Sequence, residues 1–287
     1  MGNYYCMMAG APDLDLQDKS MSCTIAQFRE QCDEVLSARD KQLLFYFYLR
    51  HDCMNIVRLM RNPEAEVDGQ GNFTREQYKD MITSATELNF NVHRYPAFMS
   101  EYIRAYAYNK GKTNYFPEDD MMGRYLEYAI ACPNRMMSRW YSLNRDINNI
   151  LTALIARQNG WDLNDYLQGD NEVTDMIRQN NSHDFDLTHE YDYVKDLMKI
   201  VDESDPVQKE RRIDAFKWLW LDEQTFFDPF SIEAVFAYLC KLEMQDRWEK
   251  LDPEKGKEAF KHIIDDLRGE VKVPDEFNAN NKKKDTI

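Results

Sequence analysis

The chain has 287 residues, of which 43% are hydrophobic and 13% aromatic, enough apolar material for a packed core and too much for a disordered chain. Its formal charge of −15 leaves no basic face for a phosphate backbone, so nucleic-acid binding is not expected. An acidic surface instead suits solubility, or a partner that presents positive charge.

The first ten residues, MGNYYCMMAG, lack the basic and apolar regions of a secretory signal, and Cys6 stands where N-myristoylation requires Ser or Thr. Residues 3–10 are the one stretch that reads as extended. Thr24 opens a helix over 24–36, with Phe28, Cys32 and Leu36 on one stripe. A longer helix over 39–61 ends before NPEAEVDGQGN, a loop by its Pro, Gly and Asn content. Thr74 with Gln77 forms a capping-box pattern that starts a helix through Ile82 and Leu88. Further helices are predicted over 97–108, 119–131 and 134–158, the last ended by Gly160, and then over 189–202, 206–222, 231–250 and 253–268. Pro206 and Pro253 sit where helix starts tolerate proline. No run alternates strictly at period two, so strands are few or absent. The fold class expected is all-α: one helical domain over 1–268 and a polar tail over 269–287.

The six cysteines (Cys6, Cys23, Cys32, Cys53, Cys132, Cys240) contain no C-x-x-C pair, which fits reduced thiols in a cytoplasmic protein. No apolar run approaches the roughly 18 residues of a membrane span.

Two of the predicted helices carry the same pattern. Leu49, Cys53, Ile56 and Met60 fall on one face, and Leu143, Ile147, Ile150 and Leu154 repeat it 94 residues later. Asp52 and Asn55 lie beside the first face, and Asp146 and Asn149 repeat them at the same shift. Downstream, Gln70-Gly71-Asn72 is answered by Gln168-Gly169-Asp170, and Asp80-Met81-Ile82 by Asp175-Met176-Ile177. The pattern predicts equivalent units over 43–82 and 137–177. A polar pair set beside a buried face is expected to hydrogen-bond a neighbouring backbone or cap, since an unpaired partner costs about 1–3 kcal/mol.

The motifs that would carry chemistry are incomplete. NKGKT at 109–113 has Tyr106 where a phosphate loop needs glycine, and no strand precedes it. EVDGQGNFTREQ at 66–77 imitates a calcium loop but places Gln70 and Gln77 where carboxylates belong. HDFDLTHEYDY gathers His183, Asp186 and His189 into a weak metal set whose spacing matches no known ligand pattern, and a solvated loop is the simpler reading. No nucleophile elbow and no H-E-x-x-H is present. No cofactor is expected, and the chain reads as a non-enzyme. A metal-dependent hydrolase is the least favoured class, and a free cytosolic helical adaptor is the competing one.

The segment SIEAVFAYLCKLEMQDRW, residues 231–248, sets Glu243 on a stripe with Phe236, Leu239 and Cys240. Its core, AYLCKLE, resembles the final-unit helix of the C-subunit of V-type and A-type ATPases. The Asp-x-x-Asn-Ile helices at 52–56 and 146–150 resemble the repeated units of that protein. NYYCMMAGAPDL resembles a set of short bacterial proteins encoded among V-type ATPase genes. The chain departs from the pattern after Glu243, where Asp246-Arg247-Trp248 replaces an Asn-Leu-Arg type sequence. The resemblance implies a pseudo-threefold, wedge-like helical domain, with a degenerate third unit over 206–268, that links the central rotor shaft to the membrane proteolipid ring without catalysing anything. It places the protein on the cytoplasmic face of the bacterial inner membrane, bound to other ATPase subunits. The positions singled out as interface or structural are Asp52, Asn55, Asp146, Asn149, Glu243 and Arg247.

Overall fold

The computed structural model describes residues 4–18, 20–87, 91–113, 115–163 and 166–251. Among these the chain forms twelve helices and no strand. In order they are α1 (Tyr5–Gly10), α2 (Ile25–Val35), α3 (Ala38–Arg61), α4 (Arg75–Thr86), α5 (Ala97–Asn109) and α6 (Pro117–Ile130). There follow α7 (Arg135–Asn159), α8 (Glu172–Gln179), α9 (Leu187–Glu190), α10 (Val194–Val201), α11 (Pro206–Thr225) and α12 (Ile232–Lys250). The helix predicted over 253–268 and the tail over 269–287 lie outside the described residues, as does the predicted helix end at Leu88. None of the described helices is long and apolar enough to cross a membrane.

The helix starts follow from their caps. Thr24 and Thr74 each accept from the N–H of a Gln three residues on, whose side chain bonds back to the cap N–H, so both capping boxes are closed. Ser37, Asn134, Asp205 and Ser231 cap α3, α7, α11 and α12. Gly160 ends α7 in the left-handed region, at φ +69°, and its N–H returns to the carbonyls of Ala156 and Arg157.

Two apolar clusters meet along α7. The first gathers α2, α3, α4, α5, α6, the start of α7 and α12 around Leu49, Cys53 and Ile56, all without solvent exposure. The second sets Ile147 and Ile150 against Val173, Ile177, Phe185 and Leu197. Tyr141 belongs to the first and Leu143 to the second, so one helix passes from core to core, and Trp220 packs against both. Helix α12 packs against α2, α3, α7 and α11, which explains why it is buried nearly all round while most of its neighbours show one apolar face.

Two expectations are corrected. The stretch expected to be extended is helical where it is described: α1 occupies Tyr5–Gly10, fixed by the Tyr4 N–H to the Phe230 carbonyl at 2.9 Å and the Tyr4 hydroxyl to Asp40. That turn is held by contacts distant in sequence, which local pattern does not encode. The helix expected over 189–202 is two pieces, because buried Phe185 and Leu187 pin a single turn that ends at extended Tyr191 before α10 begins. Residues around Asp175 form a full helix, α8, capped by Asn171 through Thr174.

Candidate functional site

The repeated Asp/Asn positions are fully engaged inside the fold. Asn55 donates to the carbonyl of Asp68 at 2.8 Å and accepts from the Asp68 N–H at 2.7 Å. Asn149 does the same with Gln168, at 2.9 and 2.8 Å. Each asparagine thereby clamps one residue of the following loop by two bonds. Both are buried, at 0% and 1% exposure. The register differs from the letter match. Asp68, not Gln70, corresponds to Gln168, and the loop is closed over a separation of 13 residues in one unit and 19 in the other.

The aspartates receive the loop's end. Asp52 accepts from the Asn72 N–H at 2.7 Å, the Phe73 N–H at 3.1 Å, the Asn72 side chain at 2.7 Å and the Tyr78 hydroxyl at 2.5 Å. Burial pushes its carboxyl up while these four donors pull it back, and burial prevails. Gly71 is the residue that lets the loop approach. A Cβ there would lie 2.5 Å from the Tyr78 hydroxyl and closer still to Asp52 Oδ1. Asp146 is held more loosely, by the Asn171 side chain at 2.7 Å and by Ser142 and Arg145 at 3.5 Å. These four positions are therefore structural clamps.

Glu243 and Arg247 belong to a different place. They line a cleft of about 790 Å³ that also takes walls from α3, α6, α7 and α11. Arg50 donates to Glu243 at 2.5 Å across the cleft. Arg247 binds Glu210 at 2.8 Å and Asp214, which also accepts from the Trp248 indole at 2.7 Å. Asp214 is 1% exposed, so two donors answer a carboxylate closed off from the surface. His51 Nδ1 meets Asp68 Oδ2 at 2.7 Å, and this hydrogen bond is the main reason that the Asp68 carboxyl is held down to about 2. Lys217 stands on the same walls, where burial pushes its ammonium down to about 8 against the opposing pull of Asp214. The cleft offers charge and hydrogen-bond donors to an occupant.

Sequence reasoning missed Arg50, Asp214 and Lys217. The signal that could have found them was the spacing in α11, where Asp214 and Lys217 share a side with Leu221 next to buried Ile213. His183, Asp186 and His189 are exposed. No three His, Cys, Asp or Glu side chains among the described residues are grouped to hold a metal, so the weak set is not assembled. The calcium-like loop is instead the segment folded onto Asp52, and NKGKT is a turn with Gly111 at φ +92°.

Comparison with curated proteins and with solved structures finds no match to the chain. Residues 1–271 match the family described as "Protein of unknown function (DUF2764)", and the chain belongs to that family.

Proposed function

We propose that the chain is a non-catalytic central-stalk component of a V-type ATPase, linking the rotor shaft to the membrane proteolipid ring. The observation that carries this reading is the recurrence of one device. In two helix–loop–helix segments, an asparagine on a long helix clamps the following loop by a two-bond exchange, and an aspartate one turn earlier receives the loop's end. A helical chain of repeated units is what the resemblance to the C-subunit implies. AYLCKLE, one of the segments that carry that resemblance, lies on α12, the helix that contacts four others. The repeated polar residues Asp52, Asn55, Asp146 and Asn149 are occupied in holding the fold, which supports a scaffold.

The test is co-purification of the tagged chain with the ATPase from native membranes. The chain should be recovered with stalk and ring proteins. Binding that depends on exposed acidic residues should weaken as salt approaches about 0.5 M, where charges are screened within a few ångströms. Cells lacking the gene should lose coupling between ATP hydrolysis and ion pumping. Recovery of an intact, coupled complex from those cells would overturn the reading in favour of a free helical adaptor.

A further inference from the structure

The central cleft is lined by five carboxylates, and each has a donor. Asp68 is bound by His51, Glu243 by Arg50, Asp246 by Lys250, Glu210 by Arg247, and Asp214 by Arg247 and Trp248. The five lining cations are not matched in the same way. Among the described residues Arg50, Arg247 and Lys250 are paired, exposed Arg58 reaches the amide oxygen of Asn55, and Lys217 has no hydrogen-bond or ion-pair partner. Three further groups lining the cleft are buried without a hydrogen-bond partner. They are the Arg247 Nε, the hydroxyl of Tyr141, a residue only 4% exposed, and His51 Nε2, a donor when the ring is protonated. Buried donors are rarely left unmade, because each costs about 1–3 kcal/mol. What the cleft lacks is an anionic acceptor.

The remaining wall is apolar and adaptable. Met54, Met122, Leu126, Ile213 and Met244 line it, and methionine conforms to irregular ligands. The volume of about 790 Å³ lies within the range of small-molecule sites. A second cleft of about 650 Å³, between α2 and the start of α3, has two of its three lining cations on backbone carbonyls, Arg29 on those of Gln70 and Gly71 and Lys41 on that of Asp33, while its Arg39 is exposed.

We propose that the central cleft binds an amphiphilic small molecule with a carboxylate or phosphate head. Lys217 Nζ is the charge partner of the head, Arg247 Nε and the Tyr141 hydroxyl are further donors, and the body lies along the methionine wall. Lys217 is faced by Glu210 and Asp214 from α11, Arg50 from α3 and Arg247 from α12, while α6 and α7 line the cleft near it with uncharged Tyr125, Asn144 and Asn148. An anion arriving there favours the protonated amine, so binding takes up a proton where the free lysine is partly neutral.

The test is calorimetric titration of the full chain with decanoate, decyl phosphate, decanol and inorganic phosphate. Decanoate and decyl phosphate should saturate one site, with decanol and inorganic phosphate weaker by about tenfold or more. Lys217→Met should weaken decanoate by about tenfold, Tyr141→Phe by a few-fold, and Lys217→Arg little. In the parent, affinity should fall as pH rises from about 7 to about 9.5, and in Lys217→Met it should not. Circular dichroism confirms that each variant is folded. Sedimentation with anionic vesicles separates the two sources of such a head. Co-sedimentation that depends on Lys217 identifies a membrane lipid, and a chain that stays in the supernatant identifies a free amphiphile. Equal decanoate affinity in Lys217→Met, equal affinity of the parent for decanol and decanoate, or no saturable binding of either acid would overturn the proposal.

Discussion

Gly71 and Gly169 sit at comparable places in the two clamped loops, but for different reasons, and alanine at each should separate them. Gly169 occupies the left-handed region at φ +71°, and the nearest atoms to an added Cβ are 3.6 Å away on Arg145. Gly169→Ala therefore meets a conformational penalty alone, about 1 kcal/mol. Gly71 is outside that region, but its Cβ would lie 2.5 Å from the Tyr78 hydroxyl and closer to Asp52 Oδ1. Ordinary contact needs about 3.5 Å, so the loop must retreat by about 1 Å. Retreat stretches the Asn72 and Phe73 N–H bonds to Asp52, now 2.7 and 3.1 Å, and leaves a buried carboxylate short of donors. Hydrogen bonds to charged groups contribute about 1.5–3 kcal/mol each, so losing one to two of them puts Gly71→Ala at about 1.5–6 kcal/mol. Urea unfolding followed by far-ultraviolet circular dichroism measures both. If Gly71→Ala costs no more than Gly169→Ala, the close approach is not what fixes the glycine.

Two further outcomes follow from groups in the cleft. Lys217 is pushed down to about 8 from 10.5 by burial, so its charge costs the fold on the order of 3 kcal/mol at neutral pH. The folded value lies below the unfolded one, so stability should rise between about pH 8 and 10.5, and Lys217→Met should be more stable at pH 7 and lack that rise in thermal denaturation. Asp68 is held down to about 2 from 3.8, chiefly by His51, so its contribution is present above pH 3.8 and lost as pH falls toward 2. With its side chain 28% exposed, that contribution is about 1–2 kcal/mol, and the stability difference between the parent and Asp68→Asn should shrink over the same range.

The parts of the fold that were legible are those set by local period and local capping. Leu49, Cys53, Ile56, Ile147 and Ile150 sit at helical spacing and all are fully buried. Thr74 and Gln77 lie three residues apart and close their box. Asn55 and Asn149 were legible as polar residues beside a buried face, but not their partners. Matching the letters Gln-Gly paired residue 70 with 168, whereas the backbone bond selects residue 68, since a loop can lengthen by insertion while the clamp geometry stays fixed. The cleft was not legible at all. Arg50 and Glu243 meet across 193 residues, and Arg247 meets Asp214 across 33. No helical period links such positions, and only the packing of α3, α11 and α12 brings them together.

The charge of the chain is divided by this packing. Among the described residues, those lining the cleft carry five cations and five carboxylates, which cancel with histidine neutral, whereas the chain as a whole carries −15. The outside and the cleft are thus suited to opposite partners: the surface to basic loops, the cleft to an acceptor that answers Lys217. The two associations also differ in their response to salt. Attraction at the surface acts through water and is screened over about 10 Å or less. A pair inside a cleft with apolar walls has fewer ions between its members and keeps more of its strength. In the proposed stalk setting, raising salt would strip the chain from basic loops while leaving the cleft's ligand in place. Loss of the large complex and loss of the small ligand would then be separate events, traceable to different residues.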